Sequence, residues 1–147
     1  MEKISKNQIT WIKDAEFKTR MMIDSVKLCY KKGLFIPTLT LICSYIDGMG
    51  NGTKKDYLDN LKTEFPDLCK ELGASVFYQK YRNGIIHELC PKSNFALDRG
   101  SDMNNQYVRE VEIEDDKRIL ITLNIDRLTN DFLKWVNTKR NSARNNT

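Results

Sequence analysis

The sequence predicts a mainly α-helical protein: an antiparallel up-and-down helical bundle with a small antiparallel β-hairpin or meander before the last helix. Three observations lead to that fold class. Apolar residues recur at three- to five-residue steps from Lys6 to Leu89 and again from Ile125, the spacing of a buried helical stripe. Between Phe95 and Leu123 the pattern changes to alternation rich in Val and Ile, which suits strands. Gly33, the run Gly48-Met49-Gly50-Asn51-Gly52, Pro66, Gly73 and Pro91 fall between the periodic stretches, where helix breakers belong.

The elements follow in order. Lys6 to Lys32 reads as one long amphipathic helix, with Ile9, Ile12, Phe17, Met21, Met22, Val26, Cys29 and Tyr30 on its apolar face. Gly33 ends it, and Lys31 and Lys32 suit the negative end of the helix dipole. A second helix starts at Phe35-Ile36-Pro37, with Pro tolerated in the first turn. Its Leu39, Leu41, Ile42, Cys43, Tyr45 and Ile46 are apolar almost all round, as expected of a central helix. After the Gly-rich loop, Thr53 is the expected N-cap of a helix carrying Tyr57, Leu58, Leu61 and Phe65, which stops before Pro66. Asp67 to Leu72 supplies another turn or two. Ala74 to Leu89 reads as a helix with Phe77, Tyr81 and Ile85 at four-residue steps. Phe95-Ala96-Leu97, Tyr107 to Ile113 and Arg118 to Leu123 read as strands, the last two joined by a turn at Glu114-Asp115-Asp116-Lys117. Ile125 to Thr138 returns to helical spacing.

At 147 residues, 40% apolar and 30% charged, the chain has the length and apolar content for one domain with a core that needs no staples. Disordered, collagen-like and low-complexity chains are excluded. Residues 1–140 read as a single domain and 141–147 as a flexible basic tail. The apolar stretch Leu34 to Ile46 is too short to span a membrane, and the opening MEKISKNQIT lacks the apolar core of a signal peptide. A cytoplasmic protein with no membrane partner is expected. Cys29, Cys43, Cys69 and Cys90 show no CxxC spacing, so they are expected to be reduced thiols rather than a zinc or redox motif. The single histidine excludes a His-rich metal site within one chain, and no metal or cofactor is expected. Of the +4 net charge, most belongs to Lys139, Arg140 and Arg144, so electrostatics permit an RNA partner without demanding one.

The stretch with chemical content is Tyr81-Arg82-Asn83-Gly84-Ile85-Ile86-His87-Glu88. Helical residues turn by about 100° each, so Asn83 and His87 share a face and Arg82 sits at its flank. Gly84 costs a helix interior roughly 1 kcal/mol relative to Ala, and such a Gly often admits a close backbone or ligand. From spacing alone, Arg82, Asn83 and His87 also fit a satisfied polar patch between helices, since no second catalytic partner is visible.

The run Arg82-Asn83-Gly84-Ile85-Ile86-His87 resembles the R-x4-H motif of the HEPN superfamily, all-helical domains that include many metal-independent ribonucleases. Asn83 matches the polar residue that often follows the Arg. Phe35 to Met49 (FIPTLTLICSYIDGM) resembles the buried second helix of these domains, where an acidic residue recurs near the end; Asp47 is the candidate. The resemblance covers roughly Met1 to Pro91 and the last helix. It implies RNA cleavage by 2′-OH attack, with His87 as general acid/base and Arg82 stabilising the transition state. Asn83 would orient phosphate or imidazole, and Tyr81 and Glu88 would support the site. Asp47 would orient Arg82 or His87, or cap the following loop. One His per chain implies a homodimer with a shared site, and Gly84 would permit that approach. The resemblance also implies a toxin or defence component with an antitoxin or defence partner protein. Its alternative is a non-catalytic HEPN-like module that binds a nucleotide or protein. Two departures stand out. Leu89 occupies the place where one toxin group carries a Tyr that its antitoxin modifies, and the strands are an addition to the minimal bundle, read as packing or partner contact.

Overall fold

Helix α1 spans Ala15–Lys31 and α2 Phe35–Gly48 in the computed structural model, which describes residues 15–99 and 105–145. The expected start of the first helix, from Lys6, lies outside the described residues. Gly33, at φ +71°, turns the chain between the two helices, a conformation that costs glycine no steric strain. Leu39, Ile42, Cys43 and Ile46 of α2 are fully buried. Its hydroxyls are compatible with that burial because they bond back one turn: Thr38 Oγ1 donates to Leu34 O at 2.8 Å and Thr40 Oγ1 to Ile36 O at 2.9 Å.

Thr53 caps α3 (Lys54–Glu64) by accepting the Asp56 N–H at 3.1 Å, and α4 (Pro66–Glu71) begins directly on its proline. Helix α5 runs over 74–88. It opens as an α-turn at Ala74–Val76, becomes a π-helix at Phe77–Arg82 and returns to α geometry at Asn83–Glu88. Leu89, left-handed at φ +57°, ends it. α2 packs against α1, α3, α5 and the last helix, α6 (Ile125–Asn145). Tyr45, Phe65, Phe132 and Trp135 meet edge to face across that core, with ring centres 5.4 to 5.9 Å apart.

The molecule is thus mainly helical with a small three-stranded sheet. β1 (Phe95–Asp98), β2 (Val108–Glu112) and β3 (Ile119–Asn124) lie in the order β1-β3-β2. β2 and β3 form the expected antiparallel hairpin, Val108 facing Leu123 and Glu112 facing Ile119. The expectation of an all-antiparallel sheet needs correction: β1 pairs parallel with β3, Phe95 opposite Ile121 and Asp98 opposite Asn124. The reason is topological. β1 and β2 run in opposite directions on either side of the slot that β3 fills, so β1 and β3 share a direction.

α6 also continues past the expected end at Thr138. Lys139 Nζ meets Glu64 at 2.9 Å and Arg140 Nη2 meets Glu16 at 2.6 Å, which ties the added turns to α3 and α1. Two cations of the basic stretch are therefore engaged within the chain.

Candidate functional site

Arg82 closes the π-helical segment of α5, and its guanidinium is pinned from two sides. Nε and Nη2 both donate to Asp47 Oδ2, at 3.1 and 2.7 Å, and Nη1 donates to Asn83 Oδ1 at 2.9 Å. Asp47 is the penultimate residue of α2, so the pair bolts the end of the central helix to the motif helix. Both side chains are about a quarter exposed or less. Burial alone would weaken the charge on Arg82, but the hydrogen bonds to Asp47 more than offset it and its pKa stands above the ordinary value. The guanidinium lies against two aromatics, with Cζ 5.1 Å from the Tyr78 ring centre and 6.0 Å from that of Tyr57.

His87 follows Asn83 by one helical turn and is exposed. No hydrogen bond or ion pair reaches it among the described residues. Residues at this spacing on an α-helix are neighbours, roughly 5–6 Å apart at Cβ, so the imidazole and the Asn83 amide can face one ligand. Glu88 pairs instead with Lys92, at 3.3 Å. Tyr81 points the other way: it is fully buried, and its hydroxyl, 3.0 Å from Ala96 O and 3.1 Å from Ile121 O, donates to the sheet. That commitment and its burial make Tyr81 the joint between α5 and the strands rather than a group available to a substrate.

Gly84 does admit a close backbone, and it is the chain's own. A Cβ placed there would stand 2.5 Å from Cys90 O, 2.9 Å from Lys92 N and 3.1 Å from the Pro91 Cα. The crossing segment is secured by Lys92 N–H donating to Lys80 O at 2.8 Å, a carbonyl inside the π-helix. The face kept clear by Gly84 is therefore filled within one subunit and is not open to a partner.

Sequence reasoning brought Arg82, Asn83 and Asp47 into consideration, and the structure joins them. It missed Tyr57 and its neighbour Tyr78 as the bed of the guanidinium. The signal was present for Tyr78, four residues before Arg82 on one helix; none was present for Tyr57, which arrives from α3. The Tyr57 hydroxyl is buried beside the Cys43 thiol, and burial pushes that thiol up to about 12. All four cysteines are free. Among the described residues no three His, Cys, Asp or Glu side chains gather as a metal-holding group, and no helix is long and apolar enough to cross a membrane.

What the arrangement can do chemically is limited and definite. It holds a fixed guanidinium and an amide, with an exposed imidazole one helical turn beyond the amide that solvent, or a substrate, can reach. No family model, curated protein or solved structure matches the chain.

Proposed function

We propose that this chain is a HEPN-type, metal-independent endoribonuclease, an antiparallel helical bundle whose site is completed across a homodimer. The observation that supports it is the Arg82–Asp47–Asn83 cluster, with exposed His87 one turn further along the same helix. RNA brings its own nucleophile, the 2′-OH. His87 of one subunit takes that proton, His87 of the other protonates the leaving 5′-oxygen, and Arg82 stabilises charge on the phosphorus oxygens. Asn83 holds a phosphate oxygen or the imidazole in register. The setting that suits such an activity is a toxin or defence component restrained by a partner protein.

The test is RNA cleavage in EDTA by wild type and by His87→Ala, with circular dichroism to confirm an intact fold. Loss of a general acid/base costs about 10²- to 10⁴-fold, so a drop of that order in the variant supports the assignment. Equal cleavage by the two, or none by either, overturns it. A strictly monomeric protein that cleaved RNA would overturn the shared site alone.

One observation favours a second reading, a HEPN-like module that binds a nucleotide or protein without catalysis. Nε, Nη1 and Nη2 of Arg82 all have acceptors within the chain, as in a structural polar pair. That reading predicts ligand binding by wild type and His87→Ala alike, with no cleavage by either.

A further inference from the structure

A guanidinium carries all its N–H donors in one plane, so the tilt of that plane decides what Arg82 can grip. Nε and one Nη2 proton go to Asp47 Oδ2, and one Nη1 proton goes to Asn83 Oδ1. One N–H of Nη1 and one of Nη2 are left over. With 19% of the side chain exposed, these are what the residue has to offer a ligand.

The two acceptors stand on either side of the guanidinium. Two points define only an axis, and a rotation about the line from Oδ2 to Oδ1 tilts the plane with little change in either bond length. The hydrogen bonds therefore fix where the group sits more firmly than how it is tilted. The tilt is set by what packs on its face, and that is Tyr78, with Cζ 5.1 Å from its ring centre. The Tyr78 ring is braced in turn. Tyr57, fully buried, meets it edge to face with centres 5.2 Å apart. A ring held by a buried neighbour offers one orientation to a guanidinium, which stacks on aromatic faces.

We propose that Tyr78, braced by Tyr57, is a positioning residue: it sets the tilt of the Arg82 guanidinium and so aims its two remaining N–H groups at the oxygens of the scissile phosphate. The inference rests on the ribonuclease reading and specifies what aims that site's cation. A misplacement of about 1 Å at such a group can cost on the order of 10²-fold in rate. The ring supplies the effect and the phenol hydroxyl does not. An ammonium, by contrast, is a point charge with no plane to tilt.

The experiment compares wild type, Tyr78→Phe and two ringless variants, Tyr78→Leu and Tyr78→Gln, with thermal melts to confirm folding. The first readout is the NMR order parameter of the Arg82 Nε–H, about 0.85 for a rigid group and below about 0.6 for a mobile one. It is expected to fall in both ringless variants and to hold in Tyr78→Phe. The second readout is kcat and KM for RNA cleavage. The ringless variants are expected to lose about 10- to 10²-fold in kcat with KM little changed, and Tyr78→Phe to restore the wild-type kcat. In an Arg82→Lys background, Tyr78→Leu is expected to cost nothing further. An unchanged order parameter in the ringless variants, a wild-type kcat in folded Tyr78→Leu, or the same loss in the Arg82→Lys background overturns the inference and leaves the ribonuclease reading standing. A wild type that cleaves no RNA overturns that reading and the aim at phosphate with it, and the order parameter then decides whether the ring holds the guanidinium at all.

Discussion

Arg82 shows how a residue's meaning depends on what it reaches. Its partner Asp47 lies 35 positions away in the chain, and together they convert a surface-type cation into a fixed, half-buried one. Hydrogen bonds to charged groups contribute about 1.5–3 kcal/mol, and both Arg82–Asp47 bonds fall on a single carboxylate oxygen. Asp47→Ala is therefore expected to lower stability by about 1–3 kcal/mol in urea denaturation, and to depress RNA cleavage because the guanidinium is no longer aimed. Full activity in a destabilised Asp47→Ala protein would show that the pair is architectural only. His87 is the opposite case. Nothing described restrains it, so its substitution is expected to cost activity and almost no stability.

At the scale of elements, α5 is the part that local rules describe least well. Its apolar steps at Phe77, Tyr81 and Ile85 predict a regular helix, yet Phe77–Arg82 is π-helical, a form used mostly for single turns and often at functional sites. The crossing of Cys90–Lys92 over Gly84 explains the glycine better than any ligand does. Gly84→Ala should gain roughly 1 kcal/mol of helix propensity. The added Cβ meets backbone atoms, which cannot step aside as a side chain would. A net destabilisation of about 1–3 kcal/mol is expected, as for other overpacked sites, and urea denaturation measures it. A stabilised variant would show that the 90–92 segment is free to move away. The helix ends elsewhere conform to rule: Thr53 at an N-cap, Pro66 at the start of α4, Gly33 at a left-handed turn.

For the whole molecule, the core is one continuous set of apolar side chains that also encloses ionisable groups. Burial pushes the Cys43 thiol from its ordinary 9.0 up to about 12, and it raises Tyr57, Tyr81 and Tyr107 as well. The sign follows from linkage. These groups are held neutral in the folded state and ionise earlier in the unfolded chain, so stability is intact below about pH 9 and falls as pH rises toward about 12. Each such group contributes a slope of up to about 1.4 kcal/mol per pH unit within its window. Thermal midpoints should hold from pH 7 to 8.5 and then drop, and Cys43→Ala should start lower but drop less steeply. Parallel pH profiles for the two proteins would show that the thiol does not ionise in this range.

Much of this was legible in the chain itself. Helix and strand periods arise from neighbours within a few residues, so the positions of α2, α3, α4 and the β2–β3 hairpin follow from spacing and breakers. The Arg82-to-His87 run and the acid at the end of α2 were visible for the same reason. What a linear pattern does not contain is the choice among distant partners. Asp47 meeting Arg82 rather than His87, Tyr57 bedding the guanidinium, the chain's own Cys90–Lys92 filling the space at Gly84, and β1 running parallel to β3 were each decided only when helices and strands packed. The mainly helical class with its inserted strands belongs to the sequence alone, because local periodicity and turn chemistry act without tertiary contacts. The assembly of the candidate site belongs to the tertiary structure, because its members come from α2, α3 and α5, and only burial of a common core brings those three together.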